Sequence, residues 1–377
     1  MTVTSAEVSD EELIAVLEAN GGSIRAAARI TGLARSTAMD RTRRLVTRGY
    51  SPKHDMTKVV PEPYIVKGHS SLYGPEGELK LQWVKTTIDH QKLELMIREM
   101  CLAAASGLPQ IKPTRAKGVY LSHLMAVYPI GDAHIGMRAW DEECGQNWDL
   151  KIAEQTQCSA MAALVDGAPA SETATIVNLG DWFHYDNIEG VTSRSGNVLD
   201  VDGRYAKMVW VGMQVMIQSI DSALKKHKTV RVINLIGNHD DTGAIWLSTA
   251  LNHMYAKEKR VTVDTTPASF NYFRHGKVLV GCHHGHSCKM EKLPAVMAAD
   301  RPKDWGETEY RYWYMGHVHH QNVKEFPGVT CESFNTLAAA DAYAVNHGYR
   351  SQQNMKCIVL HDLYGEVARH TINTKML

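Results

Sequence analysis

Residues 173–184 read TATIVNLGDWFH, and residues 229–240 read TVRVINLIGNHD. In both stretches an apolar run rich in β-branched residues leads to a glycine, and acidic, amide and histidine residues follow at once. β-branched residues favour strands, and the glycine lets the backbone turn sharply after the strand. Because α/β sheets gather ligands at the carboxyl ends of their strands, the two stretches predict an α/β fold with a polar site at the sheet edge.

Three further stretches repeat this pattern of an apolar run that leads into a polar cluster. They are GDAH at 131–134, HHGH at 283–286 and GHVH at 316–319. Nine of the 19 histidines lie in or beside the five clusters. Since histidine is the commonest metal ligand in proteins, the clusters predict a metal site. Amphipathic stretches at 150–165 and 205–226 separate the apolar runs and predict the helices of the α/β domain.

Composition limits the class of protein. The chain has 377 residues, of which 44% are hydrophobic, and equal numbers (41) of basic and acidic residues. This excludes fibrous and largely disordered classes, and any basic surface must be local. The first residues show no basic-then-apolar leader, and the apolar runs are shorter than a membrane span. Seven cysteines without regular spacing are typical of a reduced protein. We therefore expect a cytoplasmic protein that makes no membrane contact.

The five clusters, in this order, resemble the calcineurin-like metallophosphoesterase superfamily, whose blocks are D-x-H, G-D, G-N-H-D, H-G-H and G-H-x-H. The resemblance covers residues 124–345 and implies a dinuclear metallophosphoesterase. The fold it implies is a β-sandwich flanked by helices, which we assign to a domain over 119–377. One block alone is common by chance, whereas five blocks in order are a specific signal.

The resemblance also implies two divalent cations that share the carboxylate of Asp181. The other ligands of the first cation are Asp132, His134 and His319, and those of the second are Asn238, His284 and His317. Mixed histidine, carboxylate and amide ligands suit Mn²⁺, with Fe or Zn²⁺ as alternatives. Two such cations clamp a phosphate and activate hydroxide for hydrolysis.

Other residues receive roles through the same resemblance. His239 is expected to protonate the leaving oxygen, and Asp240 to orient His239. His184 follows Asp181 by three residues, as in the SbcCD-type DNA repair nucleases, where this histidine positions the phosphodiester. A supporting or packing role is the alternative for His184. Further candidates for substrate contact are His286, Arg194 and Arg204.

Residues 1–50 predict a small all-α helix-turn-helix domain that precedes the α/β domain. Helical patterns cover about 11–19, 24–30 and 36–48, and Ser23 is a plausible N-cap. Residues 21–50 contain seven arginines and one acidic residue. Such a charge excess suits phosphate contacts in DNA, while a solvated face for protein contacts is the alternative. The candidates for DNA contact are Arg35, Arg41, Arg43 and Arg44.

Residues 51–118 predict a connector without an assigned chemical role. Strand-like stretches at 64–67 and 80–85 flank a turn and predict a hairpin. A helical pattern follows over 88–105, and it ends near Gly107 and Pro109.

The leading functional prediction is a metal-dependent DNA nuclease that the N-terminal domain targets to duplex DNA. A first alternative keeps the chemistry but takes a nucleotide, a small phosphodiester or a phosphoprotein as substrate. A second alternative is a DNA-binding regulator with an inactive esterase domain. The sequence does not determine the oligomeric state, and it does not distinguish exonuclease from endonuclease action.

Overall fold

The computed structural model describes residues 8–89, 118–192 and 195–377, together with positions 91, 92, 95, 96 and 99. It divides into two compact units, Met1–Met96 and Ile97–Leu377. The stretch 51–118, predicted as a connector, is therefore shared between the two units. Most of the helical pattern predicted over 88–105 lies outside the described residues, as does Arg194.

The first unit contains the three predicted helices. They are α1 (Asp10–Ala19), α2 (Ile24–Thr31) and α3 (Arg35–Thr47). Ser23 caps α2 as predicted, and Gly32 ends it with a left-handed φ of 72°. Leu13, Leu17 and Leu45 form the centre of a small buried core. The alanines at 27 and 38 belong to the same core and allow the helices to approach closely.

A long antiparallel hairpin follows the helices in the same unit, so this unit is not all-α. Its strands are β1 (Tyr64–Tyr73) and β2 (Leu79–Ile88). The end of α3 holds the chain that leads into the hairpin, because Arg48 Nε donates to the carbonyl of Val60 at 2.8 Å. A Cβ on Gly49 would lie 2.7 Å from Cγ2 of Val66. These contacts explain why the unit continues past residue 50, where we placed the domain boundary.

Two of the seven arginines do not belong to a solvated face. The side chains of Arg41 and Arg48 are only 14% and 15% exposed, and both bind the carboxylate of Asp10. Arg41 also donates to the carbonyl of Val8 at 2.7 Å. These bonds join α3 to the start of α1. The prediction of Arg41 as a DNA contact is therefore corrected to a structural role.

The second unit contains two mixed β-sheets and seven helices among its described residues. The strands are β3 (Leu121–Ile130), β4 (Ser171–Asn178), β5 (Thr229–Asn234), β6 (Val261–Val263), β7 (Asn271–His275), β8 (Val278–His283), β9 (Tyr310–Met315), β10 (Asn322–Phe326), β11 (Val329–Ser333), β12 (Asn354–His361) and β13 (Gly365–Asn373). The helices are α4 (Asp141–Cys144), α5 (Leu150–Gly167), α6 (Tyr205–Lys226), α7 (Gly243–Met254), α8 (Leu293–Asp300), α9 (Pro302–Glu307) and α10 (Ala342–Asn346).

Parallel strands form the centre of each sheet. The order in the first sheet is β13-β12-β3-β4-β5-β6, in which β3 to β6 run parallel. The order in the second sheet is β10-β11-β9-β8-β7, in which β8, β9 and β11 run parallel. Parallel strands bring the loops at their carboxyl ends to one edge of each sheet.

Alternate residues of each central strand face two different cores. Val127, Val177 and Val280 belong to the core between the two sheets. The intervening Ala126 and Ile176 pack instead with residues of α5 and α6. Leu279 and Trp313 on the second sheet pack with Met297 of α8. This period of two confirms the predicted α/β fold, a β-sandwich flanked by helices.

Among the described residues, no helix has both the length and the apolar character that crossing a bilayer requires.

A buried histidine makes the stability of the second unit depend on pH. His227 is fully buried, and it contacts Tyr128 Oη at 2.7 Å and Ser171 Oγ at 2.8 Å. Burial lowers the pKa of His227 to about 4. Because the folded pKa lies below the unfolded value of about 6.5, this contribution to stability is complete above pH 6.5 and falls as pH decreases towards 4.

We expect the wild type to lose about 2 kcal/mol more unfolding free energy than His227→Gln between pH 7 and pH 5. Urea denaturation at the two pH values measures this difference. Equal losses in the two proteins would show that His227 does not carry this pH dependence.

Candidate metal centre

The five polar clusters lie on loops that leave the carboxyl ends of parallel strands. Asp132, Asp181 and Asn238 follow β3, β4 and β5 of the first sheet, and His284 and His317 follow β8 and β9 of the second sheet. The two sheets therefore deliver their loops to one shared edge. The sequence pattern predicted this placement.

The backbone of these loops is strained at the predicted ligands. Among the described residues, six non-glycine positions have positive φ, and five of them are predicted ligands. Their φ angles are 39° at Asp132, 43° at His134, 52° at Asp181, 71° at His317 and 55° at His319. Each such position costs about 1–3 kcal/mol and persists where the surroundings enforce it, which is typical of functional sites.

The first ligand cluster contains Asp132, His134 and His319. One donor atom from each lies within 4.8 Å of the others. Nε2 of His319 is 3.1 Å from Nε2 of His134 and 3.4 Å from Oδ1 of Asp132. Two imidazole nitrogens at this distance repel each other unless a proton or a cation lies between them or beside them.

The second ligand cluster contains Asp181, His284 and His317, again with donor atoms within 4.8 Å of one another. Nε2 of His284 lies 3.2 Å from Oδ2 of Asp181 and 3.1 Å from Oδ1 of Asn238. The structure thus brings together all seven residues predicted as metal ligands, four of them (Asp181, Asn238, His284 and His317) in or beside the second cluster.

Hydrogen bonds behind the ligands fix their orientation. His284 Nδ1 donates to the carbonyl of Leu179 at 2.7 Å, which directs Nε2 towards the cluster, where a cation would take the place of its proton. The backbone N–H of His317 donates to both oxygens of Asp132, at 2.9 Å each. The backbone N–H of His239 donates to Oδ1 of Asp181, also at 2.9 Å. Such bonds preorganise ligand atoms before a cation binds.

The electrostatics of the two clusters fit divalent cations. Burial acts to lower the pKa of His284, but Asp181 and Asp132 outweigh it and raise that pKa to about 10. Burial lowers the pKa of His134 far below its usual value, so this side chain is neutral and offers a lone pair. Two buried carboxylates that attract positive charge, next to neutral imidazoles, form the donor set that Mn²⁺, Fe and Zn²⁺ accept.

Comparisons with known proteins give structural similarity only. The chain matches no family model, and it matches no curated protein. A phosphoesterase from E. coli, YfcE, is 16% identical over 66% of this chain and 100% of its own, with a TM-score of 0.33. A conserved Streptococcus pneumoniae TIGR4 protein described as a "predicted phosphoesterase" is 9% identical over 68% and 92%, with a TM-score of 0.30. Zinc-bound Vps29 from Entamoeba histolytica is 11% identical over 66% and 99%, with a TM-score of 0.26. With values this low, the chemistry of the chain has to be inferred from its side chains.

His239 lies beside the first cluster, with its ring centroid 4.9 Å from that of His134. Its Nδ1 donates to the carbonyl of His184 at 2.8 Å. This carbonyl orients the ring, and Asp240 does not, which corrects the expected role of Asp240.

Asp240 is fully buried and is surrounded by backbone donors. Its carboxylate accepts four N–H bonds of 2.8–3.2 Å, from residues 181, 182, 183 and 237. Asp240 therefore fastens the loop of Asp181 to the loop of Asn238. Burial and the nearby Asp181 raise the pKa of Asp240, and the N–H bond from Phe183 acts against this rise.

His184 contacts a ligand. Its Nδ1 lies 3.2 Å from Nδ1 of His134, and its side chain is 1% exposed. Burial and the nearby His239 lower the pKa of His184 to about 3, so the ring is neutral. The geometry suits the supporting role that was the alternative for this residue.

The remaining candidates lie at different distances from the clusters. The ring of His286 is 5.4 Å from that of His284. Arg204 is exposed at the N-terminus of α6 and is not one of the described residues that line the cleft over the clusters. Arg194 lies outside the described residues.

The sequence analysis missed one side of the site. A cleft of about 910 Å³ covers the clusters, and residues 336–353 contribute much of its lining. Thr336 Oγ1 donates to the carbonyl of Asp132 at 2.7 Å, which fixes this segment to a ligand loop. The available signal for this segment was its position in the chain. It follows the last cluster and the strands β10 and β11.

We expect Asp181→Asn to lower the affinity for divalent cations by at least about tenfold and to reduce the number bound per chain. The amide removes the charge that both clusters face. Elemental analysis and calorimetric titration with Mn²⁺ measure the loss, and Asp166→Asn, an exposed position at the end of α5, is the matched control. Full occupancy in Asp181→Asn would contradict a shared carboxylate.

Proposed function

We propose that the second unit is a metal-dependent phosphodiesterase and that DNA is its substrate. The observation that supports this most is the juxtaposition of two ligand clusters with an oriented histidine, His239, at their edge. Hydrolysis adds the oxygen of water to phosphorus, breaks one P–O bond and releases an alkoxide, which takes up a proton to become an alcohol. The side chains around the cleft offer a group for each of these needs.

Two divalent cations, for which we propose Mn²⁺, fit the donor set. Asp132, His134 and His319 would hold one, Asn238, His284 and His317 the other, and Asp181 both. When bound, such a pair polarises the phosphate as a Lewis acid and lowers the pKa of water, so that hydroxide is available at neutral pH. The chain itself contributes preorganisation, because the ligand loops are already held by their own hydrogen bonds.

His239 is the proposed proton donor to the leaving oxygen. The carbonyl of His184 keeps Nδ1 of His239 protonated, so the proton that the ring can release lies on Nε2. After release the ring is neutral and keeps its bond to that carbonyl. The orientation of the ring therefore stays the same through the step.

The first unit is the proposed targeting module. Arg35, Arg43 and Arg44 are exposed on α3, and Arg25 and Arg29 are exposed on α2. Helix-turn-helix proteins place the later helix of the pair in the major groove, and exposed arginines there contact phosphates. The weak pair of Arg43 with Asp40, at 3.8 Å and largely exposed, leaves Arg43 available.

We expect His239→Ala to retain metal but to lower kcat on DNA by about 10²–10⁴-fold. A diester with a p-nitrophenolate leaving group needs no proton donor, so its turnover should fall far less. Both rates are measured with added Mn²⁺, and His253→Ala on α7 is the matched control. An equal loss on both substrates would contradict the acid role. Cleavage of the small diester without any cleavage of DNA would move the substrate to the nucleotide or small-diester class.

We expect the double variant Arg43→Ala, Arg44→Ala to weaken duplex binding and to reduce the slope of log K against log salt by about 2. Arg41→Ala provides the contrast, because its contacts are internal to the unit. It should lower the melting temperature and leave the salt slope unchanged. Fluorescence anisotropy over a salt series, at temperatures below melting, measures both. An unchanged slope in the double variant would exclude α3 as the DNA contact.

A further inference from the structure

The cleft over the ligand clusters has a wall that the reaction scheme above does not use. Its floor includes His134, Asp181 and His319, and its wall includes Tyr343, Tyr349 and Arg350. Its volume, about 910 Å³, is near the upper end for small-ligand sites and exceeds what one phosphate needs. A group that flanks the phosphate in the substrate therefore has room beside this wall.

The wall is the segment of the chain over residues 336–353, whose two ends lie close together. Thr336 fixes its start to the loop of Asp132. Gln353 fixes its end, since its amide donates to the carbonyl of Ala338 at 2.9 Å. Between them α10 is capped by Asp341, whose carboxylate accepts from the N–H of Ala344 at 2.8 Å. The start of the wall is thus held at the metal site, and its end is bonded to its start.

Three aromatic rings of this segment lie next to one another, one pair tilted and the other pair stacked. The ring centroids of Tyr343 and His347 are 4.1 Å apart with an interplanar angle of 33°. Those of His347 and Tyr349 are 6.0 Å apart at 25°. His347 Nδ1 donates to the carbonyl of Tyr343 at 2.8 Å, which fixes the central ring. Tyr343 and Tyr349 remain 63% and 57% exposed, so each presents a ring face to solvent.

A cation lies beside the rings. Nη1 of Arg350 donates to the carbonyls of Val345 and Tyr349, at 3.2 and 2.9 Å. These two bonds hold the guanidinium at the wall, and the side chain is exposed. A guanidinium fixed in this way offers its other N–H groups to a phosphate with little loss of conformational freedom.

We propose that this wall binds an unpaired base of single-stranded nucleic acid, with Tyr343 and Tyr349 as stacking surfaces and Arg350 as a contact to a neighbouring phosphate. Every base has a π-face, and single-strand binding sites combine aromatic stacking with cations along the backbone. In a duplex the base faces are already stacked on one another, so exposed rings favour an unpaired strand. The proposal rests on the proposed function, because it names the substrate class of that same cleft.

The test uses the full chain in EDTA, so that binding is measured without cleavage. The probes are a short single strand with 2-aminopurine at its centre and the same strand with an abasic position there. We expect the wild type to quench the 2-aminopurine fluorescence and to bind the complete strand about tenfold more tightly than the abasic one. Tyr343→Ala with Tyr349→Ala should make the two affinities equal, and the matching phenylalanine variants should keep the preference.

Arg350→Gln separates charge from stacking, because it should weaken the binding of both strands by the same factor. Equal binding of the two strands by the wild type, or a preference that persists in the double alanine variant, would overturn the proposal. A phosphopeptide provides a further test. If it binds more tightly than the strand and displaces it from the wild type but not from the double variant, the proposal is overturned and the wall binds peptides.

A separate assay tests the proposed function on which this inference rests. Hydrolysis of methyl p-nitrophenyl phosphate with added Mn²⁺ requires the metal centre but no base. Its absence would count against the phosphodiesterase, whereas the binding preference in EDTA decides the role of the wall independently.

Discussion

Two carboxylates buried close together are the constraint on which the second unit depends. Asp132 and Asp181 are 0% and 1% exposed. His284 lies between them, with Nδ1 3.9 Å from Oδ1 of Asp132 and Nε2 3.2 Å from Oδ2 of Asp181. Removing charges from water costs several kcal/mol per ion unless opposite charge and hydrogen bonds compensate for it. Backbone N–H groups supply part of the compensation, and the remainder calls for positive charge. The pKa of His284 is raised for the same reason, because the two carboxylates favour a positive charge beside them.

Three histidines of the centre form a connected series. His134 offers Nε2 to the first cluster and meets His184 at Nδ1, and the carbonyl of His184 accepts from His239. One residue thus contacts both a ligand and the proposed proton donor. The two contacts use different atoms, because the imidazole of His184 meets His134 and its backbone carbonyl orients His239. A substitution of this side chain would therefore act on the ligand and leave the bond to His239 in place.

The sequence predicted which side chains meet at the sheet edge, because the signal for them is local. A strand, a glycine and a polar side chain are adjacent in the chain, and the parallel sheet determines where they meet. The role of Asp240 was not predictable, since its four donors come from two loops that only the fold brings together. The same holds for Arg41, whose partner Asp10 is 31 residues away. The signal for the wall at 336–353 was its position after the last cluster, and position alone does not show that a segment lines the cleft.

The positions before the ligands require glycine for a second reason, in addition to the sharp turn that the sequence indicated. Gly180 does have a positive φ of 96°. Gly237 and Gly316, however, are required for close approach: a Cβ on Gly237 would lie 2.0 Å from Oδ1 of Asp181, and one on Gly316 would lie 2.7 Å from Oδ2 of Asp132. In both cases the glycine belongs to one loop and the carboxylate to another. A side chain there would push a carboxylate out of its cluster, so these glycines set the spacing between the ligand loops, and through it the spacing of the ligand atoms.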